Sequence, residues 1–449
     1  MQAVSILAFP WREPAAVLSA FAEEPFAMGL LSGGGGNHGR WSYVLRSPDR
    51  TVSLTAGDTE DPAEILRDLL GQVQEHDPAG PPFQGGVAGL AAYELGARFE
   101  PVPLPRSRAW ADLSVGRYPA LLAFDHAARR VLAVGRGENL ARAQARAQDA
   151  ADWLGAPERP CLSERLAVEF APLQAPEVYE AAVADVVQRI TDGELFQANI
   201  ARAWGGRLAV RARPFDVIQR LLSDSPAPFA AYLRLSDSAV VSNSPERFLA
   251  SSAGGYRVET RPIKGTRPRG RTPADDAALI EDLRCSAKDR AENLMIVDLM
   301  RNDLARVCSP GAVAAPELFR IESFANVHHL VSTVTGRLAP GLTAIDLLRA
   351  AFPPGSITGA PKVQAMKVIS GLEAPRGPYC GSMFWAGFDG ALDSSVLIRT
   401  LAFVEEAGGW SFEARAGAGI VADSDPRSER QETEAKILAL RRALMETPA

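Results

Sequence analysis

The sequence predicts an α/β protein, with length for two or three domains or for one large α/β unit. Three observations carry this. Stretches with period-2 alternation or β-branched and aromatic runs recur along the chain, as in Glu194-Leu195-Phe196-Gln197-Ala198-Asn199-Ile200. Between them stand stretches with an apolar stripe at helical spacing, such as Ile65, Leu66, Leu69 and Leu70. The composition, 47% hydrophobic and 23% charged over 449 residues, is that of an ordinary globular chain with nothing that suggests disorder.

The same inventory excludes several functions. A net charge of −6 without a long basic run argues against a nucleic-acid binder. No apolar run approaches a membrane span. Trp11-Arg12-Glu13-Pro14 breaks the N-terminus, so it does not read as a signal peptide. Cys161, Cys285, Cys308 and Cys380 form no CxxC pair, which fits a reducing, cytoplasmic setting and argues against a zinc site. The five histidines stand in neither HExxH nor triad-like surroundings, so a thiol or zinc hydrolase is not expected.

In chain order, residues 1–46 read as short strands and one helix. Glycines 34, 36 and 39 satisfy G-x-G-x-x-G, but a dinucleotide fingerprint requires a helix next. Arg40-Trp41-Ser42-Tyr43-Val44-Leu45 is instead aromatic and β-branched, so the glycines are a loop between strands. Residues 61–75 form a helix capped by Asp61, with Pro62 in its first turn. Gln84-Gly85-Gly86-Val87-Ala88-Gly89-Leu90 is a strand whose small residues permit close backbone approach. Residues 118–134 read as a hairpin around Asp125-His126, and 138–154 as an Ala- and Arg-rich helix. The proline-rich, aperiodic stretch 156–176 divides an N-terminal region, 1–170, from a C-terminal region, 171–449.

The C-terminal region holds the candidate chemistry. After a helix over 176–192, Gln197 and Asn199 share one face of a strand. Ser244-Pro245-Glu246-Arg247 puts an acidic residue in a turn beside a strand. Ser286 caps a helix to about 306, on which Glu292 shares a face with Ile296 and Leu299. A carboxylate on such a stripe needs a cation or a metal, and a buried arginine pair is the structural alternative. Residues 325–338 form a strand on which His328 and His329 face opposite ways. Residues 353–362 form a small-residue loop opening onto a helix, with Pro361 in its first turn and free N–H groups for an anion. Arg415-Ala416-Gly417-Ala418-Gly419-Ile420-Val421 is a strand whose backbone can press against a ligand. Asp425-Pro426 starts the last helix, where Glu429, Glu432 and Lys436 share a face. A Glu432–Lys436 surface pair is the alternative to a metal carboxylate beside a carboxylate-binding lysine.

The lysine of Arg261-Pro262-Ile263-Lys264-Gly265-Thr266-Arg267-Pro268-Arg269-Gly270 stands out. Only five of the 48 basic residues are lysine, and none precedes 264. A desolvated lysine can lose its proton and become a nucleophile, whereas arginine keeps its charge. The flanking Arg261, Arg267 and Arg269 are expected to disfavour the ammonium and to hold substrate carboxylates. The alternative is a basic, solvated loop.

Taken together, these segments resemble the chorismate-binding enzymes, which include the anthranilate, aminodeoxychorismate, isochorismate and salicylate synthases. The likeness runs through SPERF at 244–248, RPIKGTRPRG at 261–270, DRAENLMIVDLMRND at 289–303, HHLVSTVTG at 328–336 and GSITGAPK at 355–362. It continues through YCGS at 379–382, IRTL at 398–401 and GAGIVADSDPRSERQET at 417–433. The N-terminal half matches more weakly, through LLSGG at 30–34 and GGVAGLAAYELG at 85–96. Pro354 departs from a common glycine, which bears on loop geometry alone.

The resemblance implies a large α/β sandwich of two mainly antiparallel sheets with helices outside. Isochorismate-type members place a lysine base where this chain has Gln197, and an amide cannot activate water. Anthranilate synthases place alanine where this chain has Lys264, and aminodeoxychorismate synthases place a nucleophilic lysine. The likeness is therefore nearest to the aminodeoxychorismate branch, which serves p-aminobenzoate and folate synthesis. The alternatives are anthranilate synthesis and a non-catalytic subunit of the same fold. The implied roles are Lys264 as nucleophile and Glu246 as acid, with Mg²⁺ on Glu292 and Glu432 and Glu429 close by. Chorismate would meet Gln197, Thr266, His329, Thr358, Tyr379, Arg399, Gly417, Ala418, Gly419 and Lys436. Ammonia would come from a separate glutamine amidotransferase subunit, because the chain has no cysteine triad motif, and no appended lyase domain is expected. Related N-terminal regions carry a tryptophan pocket, which makes tryptophan a candidate ligand near LLSGG.

Overall fold

The computed structural model describes residues 3–33, 39–324 and 327–447. Two large sheets, of twelve and ten strands, form its centre. Their pairings are antiparallel. The sheets meet face to face through a shared apolar layer: Met28, Tyr43 and Leu45 from the larger pack with Ala88, Leu90, Met383 and Trp385 from the smaller. Trp385 stacks on Phe83 with ring centroids 4.7 Å apart. The outer faces are covered by helices. Leu66, Ile296 and Leu347 bring helices Pro62–Leu70, Ala287–Ala305 and Ala344–Ala351 onto the ten-stranded sheet. Ala150, Ile218 and Leu440 bring helices Leu140–Asp152, Pro214–Asp224 and Pro426–Met445 onto the other. Each buried aliphatic side chain contributes roughly 1.5–3 kcal/mol. The α/β sandwich with helices outside is the observed architecture.

Both sheets take strands from either side of residue 170. Met28–Leu31 pairs with Phe229–Arg234 in one, and Gly86–Ala91 with Ser382–Gly387 in the other. Close approach explains the glycines of the second pair: a Cβ on Gly86 would lie 2.0 Å from the Ala386 carbonyl oxygen, and on Gly89 2.1 Å from that of Ser114.

The caps are where short polar side chains can reach orphaned N–H groups. Asp61 accepts from Ala63 N at 2.8 Å, Ser286 from Asp289 N at 3.2 Å and Asp425 from Ser428 N at 2.8 Å. Several bounds differ from expectation. The helix expected over 61–75 stops at Leu70, because Gly71 takes φ 67 and leaves the helical path. Pro361 is the N-cap of helix Lys362–Leu372 and does not lie in its first turn. The strand expected from 325 is Val327–Arg337, and 325–326 lie outside the described residues. Glycines 34 and 36 of the rejected fingerprint also lie outside them, and Trp41–Leu45 is the expected strand.

Candidate active site

Lys264 lies on the strand Ile263–Pro268, at one edge of the ten-stranded sheet. Against Val327–Arg337 its register shifts between Ile263 and Thr266. Gly265 absorbs that irregularity at φ 86, packed so closely on Leu283 and Asp289 that a Cβ would meet them at 2.9 and 3.0 Å. Such an extra residue re-aims a side chain, and Lys264 is aimed at the other sheet. There Gln197–Arg207 pairs with Gly409–Ile420, Asn199 opposite Gly419. The point that a Gly419 Cβ would occupy is 3.0 Å from Lys264 Nζ and 3.1 Å from Gln197 Nε2. The amine and the amide thus converge over a glycine. Gln197 is fully buried, and neither its Oε1 nor its Nε2 has a hydrogen-bond partner.

Burial lowers the Lys264 pKa below the ordinary lysine value; Glu292 opposes this, Lys436 adds to it, and Glu246 and Glu432 also oppose it. The expectation that the flanking arginines free the amine is not met. Arg261 pairs with Glu322. Arg267 pairs with Asp282 at 2.5 Å and Asp289 at 3.1 Å, and Arg269 with Asp276 at 2.8 Å. Their charge is spent on carboxylates of neighbouring elements, and the depressing cation is Lys436.

Glu246 follows the strand Ser238–Ser244 in a tight turn and is almost wholly buried. Its Oε1 accepts from Ser356 Oγ at 2.6 Å. Burial pushes its carboxyl up to about 7, against the opposing pull of the Ser356 hydroxyl, Lys264 and the Ile263 N–H. A carboxyl in that range can hold a proton near neutrality and give it up.

The histidines divide as strand alternation requires. His328 is tied to Ser323 Oγ at 2.7 Å and Asp276 Oδ1 at 2.9 Å. His329 Nδ1 meets Thr266 Oγ1 at 2.9 Å, and its buried Nε2 has no partner. Burial first, then Arg399 and His328, holds His329 down to about 3, so the ring is neutral. Arg399 sits at φ 50, and burial lowers its pKa. Thr358 Oγ1 donates to Pro354 O at 2.8 Å. The Tyr379 hydroxyl is 3.0 Å from the Cβ point of Gly417, and Lys436 Nζ donates to Gly417 O at 2.9 Å. Ala418, between the two glycines, is fully buried.

The three acidic candidates come from two helices. Glu292 is mostly buried, which raises its pKa; Lys264 and Lys288 oppose that, and Glu432 reinforces it. Burial also raises Glu429, which accepts from Ser424 Oγ at 2.7 Å. On Glu432 burial acts upward, but Lys436, 2.6 Å away, brings the net shift below the ordinary value. The half-exposed Glu432–Lys436 pair is therefore formed, and such a pair adds little stability. No group of three or more His, Cys, Asp or Glu is gathered as a metal cage among the described residues. Mg²⁺ needs fewer protein ligands, typically one or two carboxylates with water and substrate. Glu292 and Glu432, close enough to repel each other, fit that donor chemistry.

Two parts of the site escaped the sequence reading. Ser356 was visible only as one letter of GSITGAPK. Arg376 bonds Glu373 at 2.9 and 3.0 Å, Asn199 O at 2.7 Å and Ile357 O at 3.3 Å, with its guanidinium over Tyr379. The Glu373/Arg376 spacing just before Tyr379 was the available signal. A separate cavity of about 490 Å³ lies between the sheets, lined by Leu30, Leu31, Ser32, Tyr43, Phe229 and Arg247 among others.

A family model described as chorismate binding enzyme matches residues 30–442. The chain is 40% identical to an aminodeoxychorismate synthase component 1 of Klebsiella aerogenes, over 97% of this chain and 98% of the relative. It is 37% identical to an anthranilate synthase component 1 of Thermus thermophilus, over 96% and 94%. A crystal structure of anthranilate synthase component I from Streptococcus pneumoniae superposes with a TM-score of 0.79 at 28% identity, covering 89% of this chain and 92% of that one. No helix among the described residues is long and apolar enough to cross a membrane.

Proposed function

This chain belongs to the chorismate-binding enzyme family, and we propose that within it the chain aminates chorismate to 4-amino-4-deoxychorismate. The observation that carries the reading is Lys264, whose amine meets the Gln197 amide over Gly419 and whose pKa burial lowers. The anthranilate-type reaction, direct addition of ammonia with loss of pyruvate, needs no amine at this position.

Lys264 Nζ uses its lone pair to attack ring carbon 2. Both ring double bonds shift in turn, the bond from ring carbon 4 to its hydroxyl breaks, and Glu246 delivers the proton with which that oxygen leaves as water. Ammonia then attacks ring carbon 4, both double bonds shift back, and the bond from carbon 2 to Lys264 breaks. The lysine departs as a neutral amine, and the new ammonium returns one proton to Glu246. Splitting the substitution this way lets both amines use one ring face. Gln197 has a free acceptor and free donors with which to steer the incoming ammonia. Neutral His329, with Thr266 behind it, and Thr358 orient the ring. Arg399, Lys436, Tyr379 and the backbone of Gly417, Ala418 and Gly419 receive the substrate's carboxylates.

Glu292 and Glu432, with Glu429 nearby, would hold Mg²⁺, which when bound supplies positive charge for the ring carboxylate. A separate glutamine amidotransferase subunit supplies the ammonia, in keeping with the component 1 names of the relatives spanned almost whole. Residues 171–449 carry the named groups, and 1–170 complete the sheets. Tryptophan, through its indole, is the candidate for the cavity lined by Leu30, Leu31 and Ser32. The test of the function is product analysis with chorismate, Mg²⁺ and ammonium salt at mildly alkaline pH. The expected product is 4-amino-4-deoxychorismate, and glutamine should serve only when an amidotransferase subunit is added. Anthranilate plus pyruvate as the main product overturns the reading.

A further inference from the structure

Building on the acid role of Glu246, we propose that Ser356 is the positioning residue that decides which oxygen of Glu246 carries the proton and how readily it is released. Ser356 Oγ donates to Oε1 at 2.6 Å, and both side chains are buried. An oxygen that accepts this hydrogen bond is a poor seat for the proton, so Ser356 biases the proton toward Oε2, while the Ile263 N–H also favours the ionised carboxyl. The donor also stabilises the ionised carboxylate, offsetting part of what burial does and keeping the acid releasable near neutrality.

The serine is free for this because other groups satisfy its loop. Asn199 Nδ2 donates to Ser356 O at 3.2 Å. Arg376 reaches Ile357 O on that loop and Asn199 O on the strand of Gln197, and so fixes one against the other. Thr358 Oγ1 closes the turn on Pro354 O. The hydroxyl of Ser356 is left to face Glu246. Around that carboxyl, Lys264 is the charge contributed by the adjoining strand. Arg247, next in sequence, turns to Asp393 at 2.9 Å and Glu259 at 3.2 Å.

The test follows the Glu246 carboxyl by infrared difference spectroscopy across pH, its band identified by its loss in Glu246→Gln, alongside turnover of chorismate with ammonium. Ser356→Ala should raise the titration midpoint of Glu246 by about one pH unit. It should lower kcat about ten-fold, with KM for chorismate near the wild-type value. Ser356→Cys, with similar volume and a weaker donor, should shift the midpoint in the same direction by less, and it serves if the alanine variant does not fold. An unshifted midpoint in the variant that folds overturns the proposal, even when kcat falls, because the serine then only packs. Should Glu246→Gln turn over chorismate normally, the acid role itself fails. Should Glu246→Gln be dead while Ser356→Ala titrates as wild type, only the role of Ser356 fails.

Discussion

Replacing His329 by glutamine should flatten the dependence of stability on pH below neutrality. The imidazole is 2% exposed, and burial, then Arg399 and His328, lower its pKa from 6.5 to about 3. The sign follows from proton binding. Between those two values the unfolded chain takes up a proton that the folded chain refuses, so stability rises with pH there. The contribution is fully present above the unfolded value and is lost as pH falls through the folded one. At pH 5 the unfolded histidine lies 1.5 units above ambient pH, taking 6.5 as its value, which corresponds to about 2 kcal/mol. Glutamine cannot titrate and can still meet the Thr266 hydroxyl. Urea unfolding of both proteins at pH 7 and pH 5 measures the difference. The wild type should lose about 2 kcal/mol more than His329→Gln on acidification. Equal losses would refute the reasoning: the ring would then accept a proton inside the fold, and a neutral His329 could not be the group that orients the substrate.

Three other expectations can be checked on the same protein. Glu292→Ala and Glu432→Ala should each abolish chorismate turnover and leave the thermal midpoint close to wild type; near-normal turnover removes the metal assignment, and marked unfolding marks a structural ion pair instead. Intact-protein mass spectrometry with chorismate and Mg²⁺, without ammonia, should reveal a substrate adduct on the peptide containing Lys264, absent from Lys264→Ala. Lys264→Arg should be inactive, because a guanidinium keeps its proton, and normal turnover by that variant refutes covalent attack. Gly419→Ala puts a methyl 3.0 Å from Lys264 Nζ and 3.1 Å from Gln197 Nε2; turnover should fall by about ten-fold or more with the fold retained, and an unchanged rate refutes the convergence of amine and amide.

The fold was legible where a local signal has one physical meaning. Asp61, Ser286 and Asp425 precede helical stripes, and each side-chain oxygen accepts from an N–H that the helix leaves unpaired. Gly86 and Gly89 marked strands pressed against their neighbours, and they are. Bounds set by conformation alone were less legible. Nothing in the apolar spacing of 61–75 says that Gly71 will leave the helix rather than tolerate it. The arginines beside Lys264 show a different failure. Closeness in sequence placed three cations around the amine, but partners are decided by what packs on the strand. Glu322, Asp282, Asp289 and Asp276 come from neighbouring elements that draw each guanidinium away. Removing those charges changes the chemistry of Lys264: its amine is freed mainly by desolvation, with the carboxylates of Glu292, Glu246 and Glu432 opposing it.

That balance explains why the two sheets must meet at this point. Desolvation requires Lys264 to leave the edge of its own sheet and enter the surface of the other, and Gly419 is the gap that admits it. Gln197 occupies the same gap with an amide whose oxygen and nitrogen are both buried and unpartnered. An unsatisfied polar group of this kind lowers stability by about 1–3 kcal/mol, and an apolar side chain of similar size would relieve it. Packing alone therefore gives no reason for an amide here. The proposed reaction does, because in it an incoming ammonia would need an acceptor for its N–H and a position beside the ring that Lys264 would have activated. On that proposal, the same glycine that lets the lysine in would also leave room for the nucleophile that displaces it.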